Sequence, residues 1–315
     1  MIPLGLLFDA ITWSNLLVLM SIGLTFTYIT LKTPNFAHGD FVTIGAYTAF
    51  TLFDLIGLNI YLSLPLAFVI AGVVAILAYL LIFYPLFKRK AGVAVMMLAY
   101  LAAEAIIWCS LAIYSGIMTT YRGKPYLGFV VRDIYINLLG TKVPGALIAS
   151  SILVIVTVVG LHLLFTKSKF GIGLKAAIEN PDLASAVGID VDKAYAISWF
   201  LAGGLTGLAG PIAATRFPFG PAIGWYYILR IFAACMLGGI SSIWGAVIGA
   251  YIVGLSEVIG IYYLSMPPIN LSLVYRVLIP FGILIATLMI IPEGLVSLNW
   301  ADIRQRVFKY IKFRF

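Results

Sequence analysis

Charged residues are scarce in this chain. Asp, Glu, Lys and Arg make up 10% of its 315 residues, whereas a soluble domain contains roughly 25%. Hydrophobic residues make up 63%, and the mean hydropathy is +1.09. The shortage of charge excludes an ordinary soluble domain. Because a membrane-spanning helix needs about 20 apolar residues, the composition predicts an all-α fold, a polytopic transmembrane helical bundle.

Residue types that support metal or redox chemistry are also few. The chain has two cysteines, Cys109 and Cys235, and two histidines, His38 and His162. Each cysteine lies in an apolar segment, so we expect small core residues rather than a disulfide or a metal site. No pair of metal ligands occurs at helical spacing, and no G-x-x-x-x-G-K-[ST] phosphate loop is present. The sequence therefore predicts no metal, no cofactor and no ATP hydrolysis by this chain.

Long apolar runs make up most of the sequence, and they predict about nine membrane segments. These lie at about 11–31, 41–57, 61–87, 91–116, 144–166, 194–214, 226–240, 243–264 and 273–291. The segment 226–240 is short for a span and runs into Gly238 and Gly239, so a broken or re-entrant helix is the alternative there. We divide the chain into a transmembrane domain, residues 1–291, and a basic tail, residues 292–315.

The basic residues predict the orientation in the membrane. Three basic clusters occur, at 88–90, within 167–193 and in the tail at 304–314. Lys and Arg are enriched in cytoplasmic loops, so we expect a cell-membrane protein with its N-terminus outside and its C-terminus in the cytoplasm. The net charge of +8 then reflects orientation and not nucleic-acid binding. The connector, residues 117–143, departs from this rule by placing four basic residues outside: Arg122, Lys124, Arg132 and Lys142.

One polar insert interrupts the apolar runs, at residues 167–193, and we call it the platform. It must lie in water, because each charge at membrane depth costs about 2.5 kcal/mol or more. Asn180 and Pro181 predict a helix N-cap and first position, and Gly188 predicts the helix end. A further helical turn is expected at Leu174–Glu179. The platform is either a docking surface for a cytoplasmic partner or a helix lying on the lipid surface.

A second interruption, the broken segment at residues 34–40, carries Pro34 and Gly39. Such breaks are tolerated at membrane depth only where protein buries them or a cavity adjoins them. A helix that begins near Asp40 would direct its N–H groups and positive dipole end towards the break, which favours a carboxylate. An ordinary cytoplasmic turn between two helices is the alternative.

Four ionisable residues fall within or near the spans: Glu104, Glu257, Arg230 and Arg276. Charge at membrane depth is a functional hypothesis by default. Glu104 is the deepest, but a proton relay needs more titratable neighbours than the adjoining spans supply. Arg230 and Arg276 lie near segment ends, where we expect their side chains to snorkel to the interface.

These residues resemble a known family. Asn35-Phe36-Ala37-His38-Gly39-Asp40 resembles the N-F-A-H-G-[ED] motif of the permease subunits of branched-chain amino acid ABC transporters. Leu237 to Ile240, with Gly245 and Gly249, and Pro292 to Leu295 resemble its later motifs. The platform residues that resemble the family's cytoplasmic loop are Phe170, Gly171, Lys175, Ala176, Glu179, Asn180, Pro181, Ala184, Gly188, Ile189 and Asp190. The matches keep their order along nearly the whole chain and indicate the first of the family's two permeases.

The resemblance implies an importer subunit for leucine, isoleucine and valine, embedded in the lipid bilayer. It implies a sister permease, two cytoplasmic ATP-binding subunits that grip the platforms, and an extracellular substrate-binding protein. The substrate path would then adjoin Asn35, Phe36, Ala37, His38, Gly39 and Asp40. Coupling to the ATPase would involve Gly171, Lys175, Glu179, Asn180, Pro181, Ala184, Gly188 and Ile189.

The chain departs from the family pattern at Ser241 and Trp244, where Gly and Pro are usual. This departure leaves the substrate open, because related permeases carry urea, other amides, nucleosides and sugars. A secondary transporter coupled to ions through Glu104 or Glu257 is the alternative from another class.

Overall fold

A computed structural model of the chain describes residues 3–138 and 140–298, and these residues are largely helical. The α-helices are α1 (Leu4–Leu31), α2 (Asp40–Ile56), α3 (Leu64–Ala78), α4 (Tyr84–Lys88), α5 (Val93–Arg122), α6 (Gly145–Lys167), α7 (Lys169–Glu179), α8 (Pro181–Ala186), α9 (Val191–Ala213), α10 (Ile223–Gly238), α11 (Ile243–Leu264) and α12 (Leu278–Ile290). Short 3₁₀ turns lie at Phe36–Gly39, Leu273–Val277 and Leu295–Ser297, and a π turn at Tyr79–Phe83 joins α3 to α4. The predicted all-α bundle is confirmed.

The connector adds a small antiparallel hairpin to this bundle. Strand β1 (Tyr135–Leu138) pairs with β2 (Thr141–Pro144), and Tyr135 lies opposite Pro144. The connector is also shorter than predicted, because α5 extends to Arg122.

Eight helical segments among the described residues are long and apolar enough to cross a membrane. They are Leu4–Leu31, Phe36–Ile56, Leu64–Lys88, Val93–Arg122, Gly145–Lys167, Val191–Ala213, Ile243–Leu264 and Leu273–Ser297. The remaining predicted segment, 226–240, corresponds to α10. This helix has 16 residues and is therefore about 24 Å long. That length falls short of a hydrocarbon core of about 30 Å. Gly239, at φ 111°, ends α10 and turns the chain back towards α11.

The helix ends meet on two faces. On the platform face, Lys88 at the end of α4 pairs with Asp192 at the start of α9, with Nζ 2.9 Å from Oδ2. The cluster at 88–90 and the platform therefore share a face, as predicted. The third basic cluster, Arg304, Arg306, Lys309, Lys312 and Arg314, lies outside the described residues, as does most of the predicted tail.

The connector face has its own counter-charge. Asp54, whose side chain is buried at the end of α2, accepts a hydrogen bond from Arg122 Nε at 2.9 Å and also contacts Lys124. Tyr126 donates its hydroxyl to the same carboxylate at 2.8 Å. The Asp54 carboxylate therefore offsets one of the two positive charges of Arg122 and Lys124, which gives a partial physical reason for their departure from the charge rule.

The centre of the bundle is α1, whose residues 12–27 are all buried, packed against α9 and α11. Backbones approach closely around it. A Cβ at Gly45 of α2 would overlap the carbonyl of Gly207 in α9, and one at Gly238 would overlap the carbonyl of Gly245 in α11. Small residues drive helix packing in membranes because they allow such approach. At the rim, α5 and α12 expose most of their apolar side chains, and Cys109 of α5 is exposed where we predicted a core residue.

Candidate functional site

The platform consists of two capped helices. Ser168 Oγ accepts from the amide of Gly171 at 2.9 Å, so α7 begins at Lys169, earlier than predicted. Asn180 Oδ1 accepts from the amide of Leu183 at 3.0 Å and Pro181 follows it, which confirms the predicted start of α8. Gly188, at φ 88°, follows the end of α8 as predicted.

The platform residues divide into an inner and an outer set. Gly171 and Ala184 are buried, and a Cβ at Gly171 would overlap the carbonyl of Leu164. The exposed members are Lys175, Glu179, Asn180, Pro181 and Gly188, while Ile189 is half-buried. Two apolar side chains face outward here, Leu183 of α8 at 63% exposure and Val187, which caps the C-terminal end of α8, at 70%. Gly171 therefore fixes α7 against α6, and Leu183 and Val187 form an exposed apolar surface beside exposed polar residues.

A cleft of about 780 Å³ adjoins the platform. Its lining carries charges of both signs, from Lys32, Lys88, Lys90, Asp182 and Asp190. At its edge, Asp190 caps α9 by accepting from the amide of Lys193 at 3.0 Å. The Lys193 ammonium also lies 2.9 Å from the carboxylate, and this hydrogen bond holds the pKa of Asp190 below its ordinary value. The platform is thereby tied to the first turn of a membrane-spanning helix.

The broken segment lies inside the bundle. After α1 ends at Leu31, Asn35 Oδ1 accepts from the amide of Ala37 at 3.0 Å and caps the turn that leads into α2. Asn35, His38 and Asp40 are at most 1% exposed. The structure therefore shows a buried re-entry of the chain and not an exposed turn.

His38 connects three parts of this region. Its Nε2 lies 3.0 Å from the carbonyl of Met20 in α1 and 2.8 Å from Oγ1 of Thr206 in α9. Its ring packs edge-on against Phe41 in α2. The histidine thus fixes the broken segment between the two most central helices.

The free N–H groups expected at Asp40 are not found. The amide of Asp40 donates to the carbonyls of Ala37 and His38, because the 3₁₀ turn Phe36–Gly39 runs directly into α2. A Cβ at Gly39 would overlap the carbonyl of Gly224 in α10, so α10 fills the space beside the break. The amide of Asp40 is therefore not free to bind a carboxylate as predicted, while the substrate path at Asn35–Asp40 stays a prediction.

Polar atoms of this region nevertheless lack partners. Four buried side-chain atoms have no hydrogen-bond partner among the described residues: Asn35 Nδ2, His38 Nδ1, Asp40 Oδ2 and Thr43 Oγ1. Buried polar groups are normally paired, because leaving one unpaired costs roughly 1–3 kcal/mol. Such a concentration within nine residues marks the broken segment as a polar region with unused hydrogen-bonding capacity.

Sequence reasoning missed a buried charge cluster near the connector face. Glu257 Oε1 accepts from Nε of Arg230 at 2.9 Å and from Nε of Arg276 at 2.7 Å. Its Oε2 accepts from Trp13 Nε1 at 2.8 Å. We call these four residues the Glu257 cluster. The snorkelling predicted for Arg230 and Arg276 is wrong, because both turn inward to neutralise a carboxylate that is fully buried.

One signal in the sequence pointed to this cluster. Glu257 lies in the last third of α11, and Arg276 lies just before α12, so a helical hairpin brings them together. Arg230 and Trp13 carried no such local signal. Glu104, the other predicted intramembrane acid, is half-buried on α5 and lies apart from this cluster.

Comparison with known proteins identifies the family. Residues 6–288 match the family model described as branched-chain amino acid transport system / permease component. The chain is 43% identical over 296 residues to the probable branched-chain amino acid transport permease protein LivH of Methanocaldococcus jannaschii, covering 94% of this chain and 93% of the relative. It is 24% identical over 303 residues to the high-affinity LivH permease of Escherichia coli K12 (92% and 94% covered). No solved structure matches it. Because one family model spans most of the transmembrane helices, the chain belongs to the permease-component family of branched-chain amino acid transport systems.

Proposed function

We propose that the chain is the permease subunit of an ATP-driven importer for leucine, isoleucine and valine. The observation that carries this proposal is the match along residues 6–288, together with full-length relatives named for branched-chain amino acid transport. A sister permease, two cytoplasmic ATP-binding subunits and an extracellular binding protein complete the importer. The platform face is cytoplasmic, with the N-terminus outside and the C-terminus inside.

The ion-coupled alternative finds less support. Both oxygens of Glu257 accept hydrogen bonds from cationic or indole donors. A carboxylate held in this way is a poor site for a transported cation, because two guanidinium groups already neutralise it. This favours the ATP-driven importer.

Uptake into proteoliposomes tests the proposal. The permease, its sister, the ATP-binding subunits and the binding protein are reconstituted, and labelled leucine is supplied on the binding-protein side. We expect leucine uptake to require ATP on the platform side. Isoleucine and valine should compete with leucine for uptake, whereas urea, acetamide and adenosine should not. Uptake driven by a proton or sodium gradient without ATP would establish the secondary transporter instead.

The ATP-binding subunits dock on α8. The support is geometric: Leu183 and Val187 present an exposed apolar pair on a helix whose buried Ala184 fixes it to the bundle. An exposed apolar patch rimmed by polar residues is typical of a protein interface. The adjacent mixed-charge cleft supplies that rim.

A paired substitution tests the docking. Leu183→Asn with Val187→Asn should abolish copurification of the ATP-binding subunits while the permease still inserts and folds. The matched control is Ile172→Asn, which removes an apolar side chain that is 54% exposed on α7 and should leave copurification intact. If the ATP-binding subunits copurify with the α8 variant but not with the control, the docking surface lies elsewhere.

The substrate path adjoins the broken segment. The support is its unpaired polar atoms, which need partners when the packing around them opens. Gly39→Val cannot test this idea, because the added side chain would collide with the backbone of α10 whether or not a path is present. Accessibility during transport is the sharper measurement.

Single cysteines in a cysteine-free background supply that measurement. Thr43→Cys should react with a water-soluble methanethiosulfonate only while ATP and loaded binding protein drive the cycle. Ser198→Cys is the matched control, because Ser198 is equally buried and donates to the carbonyl of Ala194 in its own helix. Equal protection of both cysteines throughout the cycle would remove the broken segment from the path.

A further inference from the structure

A cavity of about 310 Å³ opens near the connector face, beside Trp13 and Arg276 of the Glu257 cluster. It lies between the first turns of α1, the chain just after α9, the end of α11 and the 3₁₀ turn before α12. Its volume is at the lower end of the range of about 300–1,000 Å³ that small-molecule sites occupy. A ligand here would approach from the face opposite the platform.

Three charged side chains line this cavity, two basic and one acidic. Arg276 is 26% exposed at its side chain and is held in place by Glu257 at 2.7 Å. Arg216 lies 3.4 Å from Asp9 Oδ1, and the Asp9 side chain is 54% exposed. Opposite charges on one cavity wall match a small zwitterion better than a simple anion or cation.

The guanidinium of Arg216 has unused donors. Its Nε and Nη2 are buried and have no hydrogen-bond partner among the described residues, although Nη2 lies 3.5 Å from Asp133 Oδ2. Guanidinium groups recognise carboxylates through paired N–H donors. A ligand carboxylate would therefore share Arg216 with Asp9 and Asp133, and Arg276 with Glu257, while the exposed Asp9 carboxylate can turn to an ammonium group.

The remaining wall is apolar. Arg276 lies beside two aromatic rings, with its Cζ 5.3 Å from the Trp13 ring centre and 5.5 Å from that of Phe217. The other apolar residues of the lining are Leu6, Val258, Ile261, Tyr262 and Leu273. Burying an aliphatic side chain against such a wall removes apolar surface from water, which favours a branched aliphatic side chain over a polar one.

We propose that this cavity is an entry site for a free amino acid with an aliphatic side chain, bound as the zwitterion on the connector face. Arg216 and Arg276 hold its carboxylate, Asp9 holds its ammonium group, and Trp13 and Phe217 contact its side chain. Glu257 and Arg230 are positioning residues, which act by fixing Arg276. The proposal rests on the proposed function, which supplies the class of substrate and the direction of approach.

Photolabelling of the assembled importer tests the site. The permease, sister and ATP-binding subunits are placed in nanodiscs that lack phosphatidylethanolamine, without binding protein, and are irradiated with millimolar diazirine-leucine. We expect labelled peptides from residues 213–217 or 258–276. Excess leucine should suppress the labelling, whereas leucinol and 4-methylpentanoate, which each lack one charge, should compete at least tenfold more weakly.

Two variants sharpen the test. Asp9→Asn should reduce the labelling at least tenfold, and because Asp9 is largely exposed the protein should still fold. Asp182→Asn, an exposed acid on the platform face, should leave labelling unchanged. Labelling confined to other segments, or suppressed equally by leucinol, overturns the proposal. Displacement by phosphatidylethanolamine but not by leucine also overturns it, because it assigns the cavity to a lipid headgroup.

Parallel uptake measurements separate this proposal from the proposed function. Normal ATP-driven leucine uptake without labelling of the cavity refutes the entry site alone. The opposite result is labelling of the cavity that leucine and other aliphatic amino acids suppress, in an importer that transports none of the three branched-chain amino acids. That result supports the entry site and refutes the proposed transport substrate.

Discussion

Replacing Glu257 by Gln should destabilise the bundle strongly. The carboxylate is fully buried and holds three donors, Nε of Arg230 at 2.9 Å, Nε of Arg276 at 2.7 Å and Nε1 of Trp13 at 2.8 Å. Glutamine preserves the size and one acceptor oxygen but removes the negative charge. Two guanidinium groups are then left without a counter-charge, and breaking a buried ion pair in this way costs about 3–5 kcal/mol.

That cost corresponds to a change of roughly 10² to 10³ or more in the ratio of folded to unfolded protein, since about 1.4 kcal/mol is tenfold. The assay is thermal unfolding of the purified complex, followed by size-exclusion chromatography after heating. Glu104→Gln is the matched control. Its side chain is only half-buried and has no ion pair among the described residues, so we expect a change below about 1 kcal/mol.

A double variant separates lost charge balance from lost packing. Glu257→Gln combined with Arg276→Gln restores the net charge of the wild-type cluster, so it should be more stable than Glu257→Gln alone. The stability effects of substitutions at neighbouring residues in one network are non-additive in this way. If Glu257→Gln unfolds at the same temperature as Glu104→Gln, the cluster does not join α1, α10 and α11, and the reasoning fails.

Three further predictions concern packing, docking and orientation. Gly45→Ala should reduce the yield of folded protein sharply, because the added Cβ overlaps the carbonyl of Gly207, whereas Gly160→Ala, with open space around it, should be neutral in the same expression assay. Gly188→Ala should weaken copurification of the ATP-binding subunits without affecting insertion, because its φ of 88° costs a non-glycine residue about 1–2 kcal/mol; normal copurification would show that the end of α8 is not needed for docking. Ser168→Cys should react with an impermeant maleimide only from the cytoplasmic side, and labelling in intact cells would reverse the proposed orientation.

The capped helices of the platform were predictable because their signals are local. Asn180, Pro181 and Gly188 each act on backbone groups within a few residues, so spacing alone located the start and end of α8. The start of α7 was missed because Ser168 was not recognised as the N-cap that extends it to Lys169. Capping residues thus locate helix ends from the sequence where they are recognised as caps.

Only the Glu257–Arg276 pair of the Glu257 cluster had a signal in the sequence, because the other two members come from distant parts of the chain. Trp13 and Glu257 are 244 positions apart, and Arg230 reaches Glu257 across a turn between two helices. Snorkelling is the expected behaviour of an arginine near a span end when no buried acid is known to lie beside it. The N–H groups at Asp40 were also mispredicted, because one interruption in the sequence does not reveal whether a 3₁₀ turn continues into the following helix.

A single helix, α9, runs from the platform face to the connector face. It begins at Val191, within the last residues of the platform, and Arg216 of the connector-face cavity follows its last residue, Ala213, by three positions. A helix of 23 residues spans about 35 Å, which is enough to cross the membrane. Its glycine-rich face packs on the backbones of α2 and α3 and carries Thr206 against His38 of the broken segment. We therefore expect a displacement at the platform to reach the broken segment along α9, whereas Pro211 in its last turn and the non-helical residues before Arg216 separate the helix from the cavity.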